Sequence, residues 1–444
     1  MYRVFLSLYS VLYSLLLPLY LLVFIYRALF QDKRVSSFLQ RIGKPPQIPD
    51  DTSGEHSAIR IWIHAVSVGE VKAIKPLIDA LKTKHYQLLV STVTQTGQKM
   101  ASDLFGNQAQ VFYLPLDWQW ICRRYLLAIK PKVILIAESE LWPGFIAASH
   151  SLNIPTLIVN GRVSDRSFRK YKLIPFLTRP LLNQITQCCM QTQEDKRRIT
   201  IIGATPSRVN RMGNLKYDYQ PTQNSQQKEV IQLIRTTMKP NKDELLWVCG
   251  STREGEEEIL LDIFKTLSES FSSLKLILAP RHPHRTQDIC KLIEQHKFTY
   301  LKRSLLLNQP SSPPQILILD TIGELSYLYQ LADLVFVGGS LFPTGGHNII
   351  EAAHFGKPIL FGPHMDNFKE ISTSFQNSHA AIQVKSNNEL LLKLQDLISD
   401  PAAREFLGHN ARKVVKENQG AVNRTIKIVQ KYTKRDDANS QLKD

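Results

Sequence analysis

The chain has 444 residues, 43% of them hydrophobic and 21% charged, a balance that excludes a largely disordered protein and supports two or three domains with sizeable cores. The formal net charge of +16 favours anionic partners such as phosphorylated substrates and anionic lipid. No zinc-finger, RNA-recognition or helix-turn-helix signature accompanies that charge, so nucleic acid is not expected as a partner.

In chain order, residues 4–26 come first, an apolar run without charge between Arg3 and Arg27. It meets the ~20 residues that a spanning helix needs and is too long for a cleaved secretory signal. Lys33, Arg34, Arg41 and Lys44 follow it. Residues 1–30 therefore read as a membrane anchor that leaves the downstream chain in the cytoplasm. Residues 31–57 read as a linker, with Pro, Gly, Asp and Ser concentrated in 43–57.

Strands are expected at Ile59–His64, Gln87–Thr92, Gln110–Tyr113, Val133–Ala137 and Thr156–Val159. Helical spacing separates them, as in Val71, Ile74, Leu77, Ile78 and Leu81. Over 58–220 this alternation predicts a parallel sheet covered on both faces. Residues 221–242, polar and glutamine-rich around one helix, read as an interdomain linker. The pattern restarts at Leu245–Cys249, Lys275–Ala279, Gln315–Leu319, Leu334–Val337 and Pro358–Phe361. It predicts a second α/β domain over 243–430, with a polar tail over 431–444. The expected fold is α/β, two Rossmann-like domains facing a cleft. Ligands of such sheets sit beyond the carboxyl ends of the strands, so residues there are the candidates.

Glu70 opens the helix after the first strand, where the dipole and free amides favour its ionised form. It reads either as a general base for an acceptor hydroxyl or as a helix cap. Glu138 and Glu140 end the fourth strand and point the same way in extended chain. An acid–base role, a metal pair and a salt bridge to a nearby Arg all fit them. Arg162 and Arg166 suit a phosphate or carboxylate. Lys216 reads either as a cation for a departing phosphate or as solvated surface.

In the second half, Gly250–Glu257 opens a helix whose amides and hydroxyls make a phosphate site. His282 and His284 lie between Arg281 and Arg285, which oppose a metal, so an anion or nucleotide contact is expected. Ile322, Gly323 and Glu324 form a strand end, a tight turn and a helix start. Gly338, Gly339 and Ser340 lead through Gly345 and Gly346 to Asn348 and Glu351, whose carboxylate suits ribose hydroxyls. The five cysteines form no C-x-x-C pair; buried free thiols in a reducing compartment are expected, not a disulfide framework or zinc site.

HAVSVGE, ESELWP, NGRVSDRS, GNLKYD, GSTREGEE, PRHPHR, DTIGEL and GGSLFPTGGHNIIEAA occur in that order. Together they resemble the Kdo transferases, inverting GT-B glycosyltransferases that attach 3-deoxy-D-manno-octulosonic acid (Kdo) to lipid A precursor. The resemblance runs from the N-terminal segment to the C-terminal helices. It implies a GT-B fold, CMP-Kdo as donor, lipid A precursor (lipid IVA) as acceptor, the bacterial inner membrane as location and lipopolysaccharide core biosynthesis as role. Glu70 would be the catalytic base, with Glu138 and Lys216 assisting the transition state and Glu140 in support. Pro280, Arg281, Ile322, Gly323, Glu324, Asn348, Ile349, Ile350 and Glu351 would contact the CMP part. No metal and no cofactor are expected. This chain departs from the family at Gly144, commonly Asn, at Gly161 and Asp165, commonly Ala and Glu, and at Ile349 and Ile350, frequently Pro-Leu. Divergent loops and sparse glycines are similar to the multifunctional chlamydial branch, which adds several Kdo residues. The rival readings are a GT-B enzyme using a UDP-sugar and a non-catalytic, membrane-bound lipid or nucleic-acid binder.

Overall fold

The computed structural model describes residues 9–11, 13–15, 40–42, 44–48, 58–84, 86–219, 225–238, 241, 243–306 and 313–434. They divide into two compact units. One takes the described residues up to Asp218 and those from Gln419 onward; the other is Tyr219–Asn418.

The first unit is built on a seven-stranded sheet, β1 (Arg60–His64), β2 (Gln87–Thr92), β3 (Ala109–Tyr113), β4 (Val133–Ala137), β5 (Thr156–Gly161), β6 (Gln187–Met190) and β7 (Val209–Arg211). The order is β3-β2-β1-β4-β5-β6-β7 and every pairing is parallel. Alternation along β1 shows why the sheet is covered twice. Trp62 joins Phe112, Phe145 and the helices Gln119–Ile129 and Pro143–Ser151 on one face. Ile61 and Ile63 join helices Val68–Lys82 and Gln95–Phe105 on the other. Both faces being apolar, the strands read as unbroken hydrophobic runs, as parallel sheets require.

The second unit repeats the plan with β8 (Leu245–Thr252), β9 (Leu274–Pro280), β10 (Tyr300–Lys302), β11 (Ile316–Ile318), β12 (Leu334–Val337), β13 (Ile359–Phe361) and β14 (Ile382–Gln383). Their order is β10-β11-β9-β8-β12-β13-β14, again all parallel. The four strands not anticipated from sequence, β6, β7, β10 and β14, are two to four residues long, too short to show a period. All five cysteines are buried free thiols.

Two domain boundaries are corrected. Helix Ser225–Met238, within the expected linker 221–242, buries Ile231, Ile234 and Met238 and belongs to the second unit. The last helix, Ala421–Thr433, expected in the second domain and its tail, belongs to the first. Its Ala421, Val422, Ile426 and Val429 pack in the same core as helix Val68–Lys82.

Of the expected anchor, residues 9–11 and 13–15 are described, and they are helical. They lie against the first unit: the Tyr9 hydroxyl donates to Asp117 Oδ2 at 2.8 Å, and Trp118 Nε1 donates to Ser14 Oγ at 2.9 Å. The rest of that segment lies outside the described residues, among which no helix is long and apolar enough to cross a membrane. Part of the expected linker also packs down, with the Arg41 guanidinium 4.5 Å above the Tyr113 ring.

Candidate active site

Strand order reverses between β1 and β4 in the first sheet and between β8 and β12 in the second. Loops leaving neighbouring strands diverge at such switch points and open a crevice at the carboxyl ends. Glu70 and Glu138 follow β1 and β4 at the first of these points, and Arg253 and Gly339 follow β8 and β12 at the second.

Helix Val68–Lys82 starts from β1 with Ser67 at its N-cap and Glu70 in its first turn. Glu70 is buried, its Oε2 accepting the Val66 N–H at 2.8 Å and its Oε1 accepting the Ser67 hydroxyl at 2.9 Å. Desolvation outweighs those bonds, the negative charges of Glu138 and Glu140 add to it, and the pKa is pushed up to about 7. The expectation that the helix terminus keeps Glu70 ionised is corrected, because burial dominates. The residue both ties down the turn and holds the proton affinity of a base working near neutral pH.

Glu138 follows β4 with a φ of 56°, a left-handed conformation that strains a non-glycine residue. Its negative charge acts on three neighbours. It raises the pKa of Glu70 and, after burial, that of Glu140. It also opposes the fall that burial and the nearby Arg162 charge impose on Lys216. Glu70, Glu138, Glu140, Lys216 and Arg162 therefore form one electrostatic set.

Three side chains given no role from the sequence, Asn160, Gln191 and Asn214, place Lys216. Asn160, at φ 53°, accepts the Leu215 N–H through Oδ1 at 3.0 Å, and its carbonyl accepts from Gln191 Nε2 at 2.9 Å. Gln191 Oε1 accepts from Asn214 Nδ2 at 2.8 Å, and Asn214 Oδ1 accepts the Lys216 N–H at 3.0 Å. A fourth, the buried Asp117, accepts the N–H groups of Gly144 and Phe145 at 3.0 and 2.7 Å and so holds the helix that follows ESELWP. Their signal was weak, since Asn, Gln and Asp at loop starts are common turn formers.

Two family departures have packing reasons. A Cβ at position 144 would lie 2.0 Å from the Asp117 carbonyl oxygen. One at position 161 would lie 2.6 Å from Met190 Sδ. Asp165, the third, pairs with Arg198 at 2.5 Å on the surface.

At the second switch point the expected phosphate site at Gly250–Glu257 is corrected. The amides that converge there, those of Arg253, Gly339, Ser340 and Leu341, all donate to the carboxylate of Glu256. Arg285 is engaged too, its Nη1 donating to Glu257 Oε1 at 3.0 Å. Arg281, half-buried, donates its N–H to the Thr252 carbonyl at 2.9 Å beside buried Pro280. Burial and then the charges of Arg253, Arg281, His284 and Arg285 lower the pKa of His282. Such crowding of positive charge suits an anion.

Ile322 is 87% exposed, an unusual position for so large an apolar side chain, and Gly323 beside it takes φ 89° with open space around it. Glu324 is held within the turn: Arg303 Nη2 donates to Oε1 at 3.0 Å, Arg303 Nε lies 2.9 Å from Oε2, and Thr321 Oγ1 donates to Oε2 at 2.6 Å. Asn348 Nδ2 donates to Glu351 Oε1 at 3.1 Å. Ile349 and Ile350, expected among the nucleotide contacts, have fully buried side chains, and the Ile350 N–H donates to Asn348 Oδ1 at 3.2 Å.

Residues 36–219 match the family model for 3-deoxy-D-manno-octulosonic-acid transferase (kdotransferase). The 3-deoxy-D-manno-octulosonic acid transferase of Haemophilus influenzae is 34% identical over 379 residues, 84% of this chain and 87% of that protein. The one from Rickettsia bellii is 33% identical over 434 residues, 96% of this chain and 99% of its own. Among solved structures, a glycosyltransferase from Rickettsia africae matches 86% of this chain and all of its own at a TM-score of 0.56 with 13% identity, which speaks for the GT-B-like fold alone. With a third of its residues shared with these transferases over nearly their whole length, the chain belongs to the 3-deoxy-D-manno-octulosonic acid transferase family.

Proposed function

We propose that the protein transfers Kdo from CMP-Kdo to lipid A precursor in lipopolysaccharide core biosynthesis, by an inverting displacement with Glu70 as general base. The observation that carries the reading is the identity shared with Kdo transferases over 84% and more of the chain. The pKa of Glu70, about 7, supports its role.

In this mechanism the carboxylate of Glu70 takes the proton of an acceptor sugar hydroxyl. The hydroxyl oxygen bonds to the anomeric carbon of Kdo, and the bond from that carbon to the phosphate oxygen of CMP breaks. CMP departs with the bonding electron pair, and the Lys216 ammonium offsets the charge that develops. The charge of Glu138 opposes the fall that burial imposes on the Lys216 pKa. The second unit supplies the nucleotide contacts, with Arg281 for the phosphate and Ile322, Gly323, Asn348 and Glu351 for the nucleoside. With the positive charge supplied by side chains, transfer runs without a metal and is insensitive to chelator. The apolar segment 4–26 attaches the enzyme to the cytoplasmic face of the inner membrane, where the acceptor lies.

The test is the mass of the product after purified full-length protein is incubated with CMP-Kdo and lipid A precursor. A gain of one or more Kdo masses is expected, and the number counts the residues added. Glu70→Gln abolishes that gain while still binding CMP; normal transfer by this variant ends the base assignment. Thermal protection by UDP in preference to CMP would instead favour the UDP-sugar reading. Membrane fractionation of a variant lacking residues 1–30 tests the attachment.

A further inference from the structure

The carboxylate of Glu256 is fully buried, and four backbone N–H groups converge on it. Oε2 accepts from Arg253 at 2.8 Å and Gly339 at 2.7 Å; Oε1 accepts from Ser340 and Leu341, each at 2.9 Å. One donor comes from the loop after β8 and three successive donors from the loop after β12. Consecutive amides turned onto one anion are the arrangement by which glycine-rich loops cradle phosphate. Here the anion is covalently part of the chain. The sequence makes room for it at Gly338, where a Cβ would lie 2.8 Å from Glu256 Oε2 and 2.7 Å from the Thr252 Cα.

We propose that Glu256 is a built-in anion, occupying the amide cradle of the second switch point and locking its two loops together so that the nucleotide-contacting segment is held in place. It is a positioning residue, acting through Gly339. The Gly339 carbonyl accepts from the Gly346 N–H and from Thr344 Oγ1, each at 2.7 Å, and Gly346 is two residues before Asn348. The donor's phosphate is thereby excluded from this cradle. The inference rests on the reading that this unit binds the cytidine nucleotide.

Chemical rescue tests it in the full-length protein. Glu256→Ala leaves the four donors facing a cavity that formate, a bare carboxylate, fits. CMP affinity of this variant, measured by titration calorimetry, falls roughly tenfold or more, since charge-assisted bonds hold the loops. Millimolar formate restores it and raises the variant's Tm, with neither effect on the wild type. Glu256→Gln, which fills the space with an amide that turns donors toward donors, loses affinity similarly and gains nothing from formate. The proposal is overturned if Glu256→Gln binds CMP as the wild type does, or if formate changes neither the Tm nor the affinity of Glu256→Ala. Should the wild type itself bind no CMP, the nucleotide reading fails, while the formate-dependent Tm of Glu256→Ala still reports on the cradle.

Discussion

Glu138 raises the proton affinity of Glu70, a pairing of two carboxylates that leave the adjacent strands β4 and β1 of the first sheet. Burial does most of the lifting and the neighbouring charge adds to it. A base must be ionised to act, so kcat/KM rises with pH along an acid limb with its midpoint near the pKa of Glu70, about 7. Glu138→Gln removes one repelling charge and moves that midpoint to lower pH, whatever it does to the maximal rate. A pH–rate profile of both proteins checks this, and an unmoved midpoint would contradict it.

The same shift is visible in stability. The folded-state pKa of Glu70 is about 7 against an ordinary 4.5, so between those values the folded protein holds a proton that the unfolded chain has lost. This contribution is full below the ordinary pKa and is lost as pH rises through the raised one, amounting to roughly 3 kcal/mol. Glu70→Gln has no such group. Its urea-unfolding stability relative to wild type therefore climbs between about pH 5 and about pH 8.

Ile322 offers a cleaner separation of binding from folding. Because it is 87% exposed, shortening it removes no core packing. Ile322→Ala leaves the Tm unchanged and weakens CMP binding several-fold, in line with the ~1–2 kcal/mol that covering such a side chain provides. Calorimetric titration alongside a melting curve reads both quantities.

Gly144 makes the opposite prediction. Its missing Cβ is what lets Asp117 approach, with the carbonyl oxygen of Asp117 2.0 Å from where that atom would be. Gly144→Ala forces the helix Pro143–Ser151 away from its cap and costs about 1–3 kcal/mol. A lowered Tm is expected; an unchanged one would mean the helix start shifts freely.

Asp218 accepts the Gly420 N–H at 2.5 Å and the Val422 N–H at 2.6 Å, capping the last helix from the loop that carries Lys216. Asp218→Ala leaves those donors without a carboxylate and costs about 1–2 kcal/mol. The loss is expected in the calorimetric transition of the first unit, with a smaller loss for Asp218→Asn, which keeps one acceptor.

Much of this was readable in the sequence where physics is local. β2 and β4 run over the residues expected of them, because an apolar run buried on both faces between turn formers has few other readings. Glu70 and Glu138 could be picked out by lying just past such runs. What escaped depends on distant partners. Nothing near Glu256 in sequence tells that amides 83 to 85 residues away will close on it. Nor does the apolar character of Ile349 and Ile350 say whether they face a ligand or the core. The last helix escaped for the same reason: its amphipathic stripe fits either sheet, and only tertiary packing selects the first.

That return of the chain bears on how the protein matures. Synthesis runs from the amino terminus, yet Tyr219–Asn418 has all its own strands once residue 418 leaves the ribosome, while the earlier half still waits for Ala421, Val422, Ile426 and Val429. The half made second is thus the first able to finish, and the half made first carries an uncovered apolar stripe along helix Val68–Lys82 until Ala421, Val422, Ile426 and Val429 emerge. A chaperone guarding this nascent chain would find its target there, and a chain cut after Asn418 would hold one sound lobe and one sticky one.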